Sequence, residues 1–407
     1  MKTIWTLCHY AEPPELGGMN RHHRFAKNLI MRGYQVRIFA ASTIHNTKMN
    51  VVADGNLYQQ QSYDGVPYVH IRTSSYEGNG KKRILNMLQF AWRVYKTGRM
   101  MEGQKPDVVL ASSAHPFTWI SGYFLARTYK ARFIAETRDL WPESLVEMGA
   151  CKRNGLPAKV LYGLESFIFR KADHLIFTMP GGLDYAKKKG VQAKKVSCIN
   201  NGIDLEEFDR LAEQEVHENE FNGNSDKFRV IYTGSIGHAH AVHYLVQAAK
   251  VIQKKRYDNI QIDIYGEGME KDALQEWACK EGVTNVCFKG RVDKKFIPGI
   301  LLKSDLNIAT GQDIQLYQYG LSMNKFFDYF ASGKPTLSNV ACKYDILEHY
   351  HAGITVKPGS PEALAEGILQ FYHMEQEEYN HYCENARKAA VNFDFKNLTD
   401  ELEKTFL

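Results

Sequence analysis

The chain has 407 residues, 44% of them hydrophobic and 24% charged, a composition that excludes a disordered polypeptide and suits two domains better than one core. A formal charge of +5 is mild: it is compatible with an anionic substrate or a lipid surface and too weak to argue for nucleic acid, for which no motif occurs. Seven cysteines, odd in number and scattered without a C-x-x-C pair, suggest neither a disulfide framework nor a metal site, and point to the reducing cytoplasm.

Met1–Cys8 carries one lysine and a short apolar run with no cleavage site, so it reads as a first strand, Ile4–Cys8, and not as a signal peptide. Glu15-Leu16-Gly17-Gly18-Met19 then precedes a helix whose apolar stripe includes Phe25, Ala26, Leu29 and Ile30. Paired glycines at a helix start let the backbone approach a ligand and aim N–H groups at it, although an ordinary turn has the same composition. Strands Gln35–Ala40 and Tyr68–Ile71 follow. A helical segment over about residues 81–100 opens with Lys81-Lys82-Arg83 and carries two apolar stripes. Ile84, Leu85, Leu88, Ala91, Trp92 and Tyr95 read as the core face, which leaves Met87, Phe90 and Val94 over. Such a basic helix fits binding in the plane of an anionic bilayer, or its second stripe packs on a neighbour.

Residues 108–126 contain no Asp, Glu, Lys or Arg and have about the length of a membrane span. His115-Pro116 interrupts the run, so a buried strand Val108–Ala111, a polar loop and a helix from about Phe117 are expected instead. Strand Phe133–Glu136 leads into Glu136-Thr137-Arg138-Asp139-Leu140-Trp141-Pro142-Glu143, where three acids surround one arginine at a strand end; an ion pair is the plain alternative. His174–Phe177 and Val196–Ile199 complete the first series, and Asn200-Asn201-Gly202-Ile203-Asp204 turns the chain.

Residues 206–226 are polar and aperiodic, a linker composition. The second series of strands is Phe228–Thr233, Ile260–Tyr265, Val286–Lys289, Leu306–Ala309, Thr336–Ser338 and Ile354–Val356. The first strand is followed by Gly234-Ser235-Ile236-Gly237-His238-Ala239-His240, the second by Gly266-Glu267-Gly268, the third by Gly290-Arg291-Val292. The run Gly320 to Pro335 reads as a turn opening a helix that ends at Gly333. Ser322 is its expected N-cap, and the freed N–H groups with Lys325 make an anion site carrying one carboxylate, Asp328, a turn further on. No D-x-D motif stands at a strand end.

These segments resemble the retaining family 4 glycosyltransferases of GT-B fold over nearly the whole chain, above all a subgroup that builds bacterial surface polysaccharides such as O-antigen and capsule. The resemblance implies an α/β chain of two doubly wound Rossmann-like domains facing each other across a cleft: residues 1–205, with a C-terminal helix of about 390–407 crossing back onto them, and residues 206–389. It implies a nucleoside-diphosphate sugar donor, most simply UDP-linked, with no metal and no other cofactor. The acceptor would be a lipid-linked saccharide and the location cytoplasmic, at the inner face of the cell membrane.

On this resemblance Asp328 holds the ribose, Leu321, Ser322 and Lys325 the diphosphate, Gly266 borders the nucleotide, and Arg291 and Val292 meet the base. Gly17, Gly18 and Asp139 bracket the sugar, with Glu136 and His115 as further catalytic candidates. Three departures stand out. Arg138 occupies the region where many members carry a histidine. Gly234, Ser235, His238 and His240 lie where an arginine and a lysine usually neutralise the diphosphate. Gly320 stands eight residues before Asp328, where the first acid of the E-x7-E pair belongs, which suggests a deoxy or acetamido donor sugar. A sugar-nucleotide 2-epimerase and a non-catalytic sugar-nucleotide-binding scaffold are the two other readings.

Overall fold

Apolar runs that would be buried on both faces alternate with helical periodicity, and a parallel sheet wrapped by helices is the packing that hides both. The computed structural model describes residues 1–16, 20–44, 47, 49–52, 55–76, 78, 80–113, 115–214 and 227–407. They divide into two compact units, residues 1–200 with 395–407, and residues 201–394.

The first unit runs β1 (Thr3–Cys8), α1 (Arg21–Met31), β2 (Gln35–Ala41), β3 (Tyr58–Tyr63), β4 (Val66–Ile71), α2 (Lys81–Met100), β5 (Val108–Ser113) and α3 (Phe117–Tyr129). It continues through β6 (Arg132–Thr137), α4 (Glu143–Glu147), α5 (Leu156–Lys171), β7 (His174–Phe177), α6 (Gly182–Lys188) and β8 (Val196–Cys198). Among the described residues its sheet has the order β3-β4-β2-β1-β5-β6-β7-β8, parallel except for the β3–β4 hairpin. The chain order reverses beside β1, so the C-terminal ends of β1 and β5 form the natural crevice for a ligand. The apolar stretch at 108–126 is β5 and most of α3, as its interruption by His115-Pro116 suggested, and among the described residues no helix is long and apolar enough to cross a membrane.

Two local expectations are corrected here. Strand β3 was not anticipated, because Gln59-Gln60-Gln61 shows no apolar alternation; an edge strand facing solvent needs none, and Asp64-Gly65, both at positive φ (46° and 76°), turns it into β4. The stripes of α2 are the reverse of the expected assignment. Met87, Phe90 and Val94 are buried, whereas Ile84, Leu85, Leu88 and Trp92 are 51%, 52%, 46% and 68% exposed. The packed face is set by α3: Gly98 lies so close to Leu125 that an added Cβ would meet its Cδ2 at 2.9 Å, and the Ser121 hydroxyl donates to the Ala91 carbonyl.

The second unit contains α7 (Leu205–Ala212), β9 (Phe228–Thr233), α8 (His243–Lys254), β10 (Ile260–Tyr265), α9 (Lys271–Lys280), β11 (Val286–Gly290), α10 (Ile297–Leu302) and β12 (Leu306–Ala309). It ends with α11 (Asn324–Ala331), β13 (Thr336–Ser338), α12 (Ile346–Tyr350), β14 (Gly353–Thr355), α13 (Pro361–Tyr372) and α14 (Gln376–Asn392). Its sheet order is β11-β10-β9-β12-β13-β14, all parallel, with the reversal between β9 and β12. One core lies between the sheet and α8 with α13, the other between the sheet and α10, α11 and α14. The last helix, α15 (Phe395–Lys404), belongs to the first unit. There Phe395 meets Phe25 edge-on at 5.3 Å and Arg32 pairs with Asp400 at 2.6 Å.

Candidate functional site

In the second unit the chemistry gathers beyond the C-terminal ends of β9, β10 and β12. The loops after β9 and β10 interlock: the Gly234 N–H donates to the Tyr265 carbonyl at 2.9 Å and the Ile236 N–H to the Glu267 carbonyl at 2.9 Å. This contact leaves no room for side chains. A Cβ on Gly266 (φ +153°) would sit 1.8 Å from the Gly234 oxygen, and one on Gly268 would sit 2.1 Å from the Ile236 oxygen. Tyr329, which the sequence reading passed over, fastens α11 to the same edge: its hydroxyl accepts from the Thr233 N–H at 3.0 Å and donates to the Ile308 carbonyl at 3.1 Å.

Helix α11 begins at Asn324, and its N-cap, Met323, offers no side-chain bond. Ser322 therefore does not cap it, a correction with a definite cause. The Ser322 hydroxyl accepts from the Asn201 N–H at 2.8 Å, and the Asn201 amide donates to the Ser322 carbonyl at 2.8 Å. The turn's own geometry demands glycine at 320, which sits at φ +84°. An uncapped helix start keeps N–H groups available for an anion.

Lys325 folds back from α11 against β9. Its Nζ lies 4.0 Å from the centroid of the Tyr232 ring, and among the described residues it has no hydrogen-bond partner. Desolvation lowers its pKa to about 7. Asp328, one turn on and half-buried, is raised by desolvation to about 6, with Lys294 opposing. His240 is half-buried and lowered by burial and by the nearby Lys325, so it adds little charge near neutrality. His238 is exposed and faces Glu270, Nδ1 to Oε1 at 3.4 Å, while its carbonyl accepts from Gln312 at 2.9 Å. Gly234, Ser235 and Arg291 are exposed; Gly266, Leu321, Ser322 and Val292 are half-buried. The structure thus brings Lys325, His240 and Gly234 together and leaves His238 turned toward α9.

In the first unit Glu136 ends β6 fully buried with both oxygens engaged. Arg21 donates to Oε1 through Nε at 3.0 Å and Nη2 at 2.8 Å, and His22 Nε2 meets Oε2 at 2.8 Å. Arg21 also donates to the carbonyls of Ile199 and Asn200, tying α1 to the end of the unit. Despite desolvation, Arg21 and His22 hold the Glu136 carboxyl well below the usual range. Burial alone would lower His22, but the fields of Cys8 and Glu136 push it up to about 9. The sequence reading missed Arg21 and His22; the signal was there, in four consecutive basic residues, Arg21 to Arg24, at the start of a helix.

His115 is fully buried, its ring 4.8 Å from that of His9, and neither of its nitrogens has a hydrogen-bond partner among the described residues. Burial, then the fields of His9 and Arg83, keep it far below the ordinary histidine value. His9 in turn bonds Asn86 at 2.6 Å, and Arg83 donates to the Tyr10 hydroxyl at 3.0 Å. Asp139 is exposed at the end of β6; desolvation raises its carboxyl against the fields of Arg138 and Arg83. The field of Arg83 thus bears on both His115, past the end of β5, and Asp139, past the end of β6. Gly17 and Gly18 lie outside the described residues.

Comparison with known proteins gives a consistent result. Residues 17–202 match the family Glycosyl transferase 4-like domain, and residues 213–389 match Glycosyl transferases group 1. An uncharacterized glycosyltransferase of Methanocaldococcus jannaschii is 23% identical over 408 residues, covering 97% of this chain and 95% of that protein. Among solved structures, sucrose-phosphate synthase from Thermosynechococcus elongatus superposes with a TM-score of 0.74 at 14% identity over 100% of this chain and 98% of that one. Anabaena HepE in complex with UDP does so with a TM-score of 0.69 at 15% identity over 100% and 99%. At such identities the likeness shows the fold, GT-B.

Proposed function

We propose that this chain, which belongs to the group 1 glycosyltransferases with a 4-like N-terminal domain, moves a sugar with retention from a UDP-linked donor to a lipid-linked saccharide at a membrane surface. The observation that carries the donor half is the uncapped start of α11 with the buried, unpartnered ammonium of Lys325 beside Gly234. An enclosed cation and free N–H groups are what a departing diphosphate needs, and stabilising that leaving group would be the main catalytic contribution. Asp328 accepts from the ribose hydroxyls, and Asp139 and His115 are the first unit's candidates for contact with the transferred sugar. Glu136, saturated by Arg21 and His22, acts here as the anchor that sets the start of α1. HepE, solved with UDP, supports the choice of nucleotide. The lack of a D-x-D sequence at a strand end supports transfer without a metal.

The acceptor half rests on α2. Ile84, Leu85, Leu88 and Trp92 form an exposed apolar stripe beside the exposed Lys81, Lys82 and Lys96, the makings of a helix that lies in the headgroup region of an anionic bilayer at the cytoplasmic face. A 2-epimerase would have no use for this stripe, so it favours the transferase. Gly320, standing where an acid would read sugar hydroxyls, supports a deoxy or acetamido donor sugar, and the resemblance to enzymes that build surface polysaccharides supports a role in their synthesis. The test is UDP release from a panel of UDP-sugars, with and without a polyprenyl-diphosphate-linked saccharide, for the wild type and Asp328→Asn. Acceptor-dependent release that falls roughly 10- to 100-fold in the variant, the worth of one charge-assisted hydrogen bond, is expected. UDP binding without release in any combination would refute the transferase reading.

A further inference from the structure

Lys325 has no hydrogen-bonded counter-ion among the described residues. Its ammonium is buried and unbonded among the described residues, and the Tyr232 ring at 4.0 Å is the group that favours its charge. A ring face offsets only part of what the desolvation of an ammonium costs. The charged and titratable groups around it do not change this balance. From β9 come Tyr232 and, through Thr233, the Tyr329 hydroxyl of α11, both phenols pushed up by burial. From the turn after β9 comes His240, itself lowered by Lys325; behind it stands Glu270, engaged with His238. On the same helix Asp328 feels Lys294. None of them hydrogen-bonds to the ammonium, and desolvation alone sets its ordinary proton affinity aside, to about 7.

Resting on the donor-site reading above, we propose that a nucleoside diphosphate enters this site together with a proton, which Lys325 takes from solvent and holds for as long as the diphosphate is bound. The diphosphate oxygens supply the acceptor and the counter-charge that the empty site lacks. One bond is exchanged for another: on binding, an N–H bond forms at the Nζ lone pair as the proton leaves a hydronium or buffer acid in solvent, and on release the reverse exchange returns it. Enclosed and without a hydrogen-bond partner among the described residues, Lys325 loses its charge above about pH 7 in the empty site and keeps it there once the diphosphate is bound. Donor affinity is then greatest below neutrality and declines as pH rises past about 7.

The experiment is calorimetric titration of the whole chain with UDP near pH 8, about two units above the second ionisation of a phosphate monoester, in two buffers of different ionisation enthalpy. Uptake of about one proton per UDP is expected for the wild type, as linkage requires of a group whose pKa crosses the working pH on binding. Lys325→Arg, charged at every pH, is expected to bind without uptake. Lys325→Met is expected to bind at least about tenfold more weakly, also without uptake, and it carries the test if the guanidinium does not fit. His240→Asn keeps the uptake. Wild-type binding without uptake, or uptake that survives in the Lys325 variants, overturns the proposal and leaves the donor-site reading intact; failure of the wild type to bind UDP overturns both.

Discussion

Replacing Ile84, Leu85, Leu88 and Trp92 together by Gln is expected to release the protein from vesicles without unfolding it. Burying one such aliphatic side chain completely contributes roughly 1.5–3 kcal/mol. The three aliphatic residues expose 51%, 52% and 46% of themselves, so immersing what they expose stabilises the bound state by on the order of 3 kcal/mol. Trp92, 68% exposed, raises the total to about 4–5 kcal/mol. At 1.4 kcal/mol per tenfold, the four substitutions should weaken partitioning by about a thousandfold. Lys81, Lys82 and Lys96 add roughly 1 kcal/mol each near an anionic surface, so changing them to Gln should remove the preference for phosphatidylglycerol over neutral phosphatidylcholine and leave most apolar binding in place. Sedimentation with vesicles of the two compositions reads both effects, and the thermal midpoint of each variant is the control. Equal sedimentation of wild type and the four-fold variant would refute the reasoning, and so would a large fall in midpoint, which would mean that the stripe packs against protein.

The reversal of stripes on α2 makes a second prediction: Phe90→Ala should cost about 3–5 kcal/mol in urea unfolding and Leu88→Ala within about 0.5, and the opposite order would restore the sequence-based face. Glu136→Gln leaves Arg21 buried without its counter-charge and should cost about 3–5 kcal/mol. Because the Glu136 carboxyl is depressed, its contribution is present above the ordinary carboxylate range and lost on acidification; because His22 is raised to about 9, its contribution is complete below about pH 6.5 and lost as pH rises through about 9. A wild-type thermal midpoint that stays flat from neutral to strongly alkaline pH would count against the pair. Gly266→Ala, forced against the Gly234 carbonyl, should lower stability by at least about 2 kcal/mol and weaken UDP binding, whereas Gly237→Ala, with open space around its Cβ, should do neither. Lys325→Met with Asp328→Asn should leave the chain as stable as the wild type or more so while removing UDP affinity; a marked loss of stability would show that both residues serve the fold.

What the sequence disclosed follows from what each residue's environment imposes. Parallel strands such as Val108–Ser113 and Ile260–Tyr265 are almost wholly buried, so the run Val108–Ala111 and the spacing of Ile260, Ile262 and Ile264 stand out. Strand β3 faces solvent at an edge and hides among glutamines, and the Asp64-Gly65 turn was the one mark of it. Both stripes of α2 satisfy helical spacing, and counting apolar residues chose the larger. The informative residues were the small ones: Thr97 and Gly98 continue the line of Met87, Phe90 and Val94, where a neighbouring helix needs room. Ser322 had the right chemistry for a cap, but the competing N–H came from Asn201, far away in sequence, and no local pattern announces such a partner.

The Gly-x-Gly turn after β10 shows why a motif and its role are separate questions. Gly266 and Gly268 are required because two loops touch, a sufficient reason for them without any ligand. Lys325 and Asp328 have no such reason. Folding takes the Lys325 ammonium out of water and half-buries Asp328, and desolvation moves each toward neutrality from opposite sides, to about 7 and about 6, so each is less favourable to the bare fold than an apolar residue of its size would be. An anion beside the lysine and hydroxyl donors beside the carboxylate would relieve both at once, and a ribose joined to a diphosphate presents these two groups at adjacent positions. Residues whose presence is unfavourable to the fold, set one helical turn apart at a sheet's switch point, therefore support the proposed donor site with more force than the glycines that surround it.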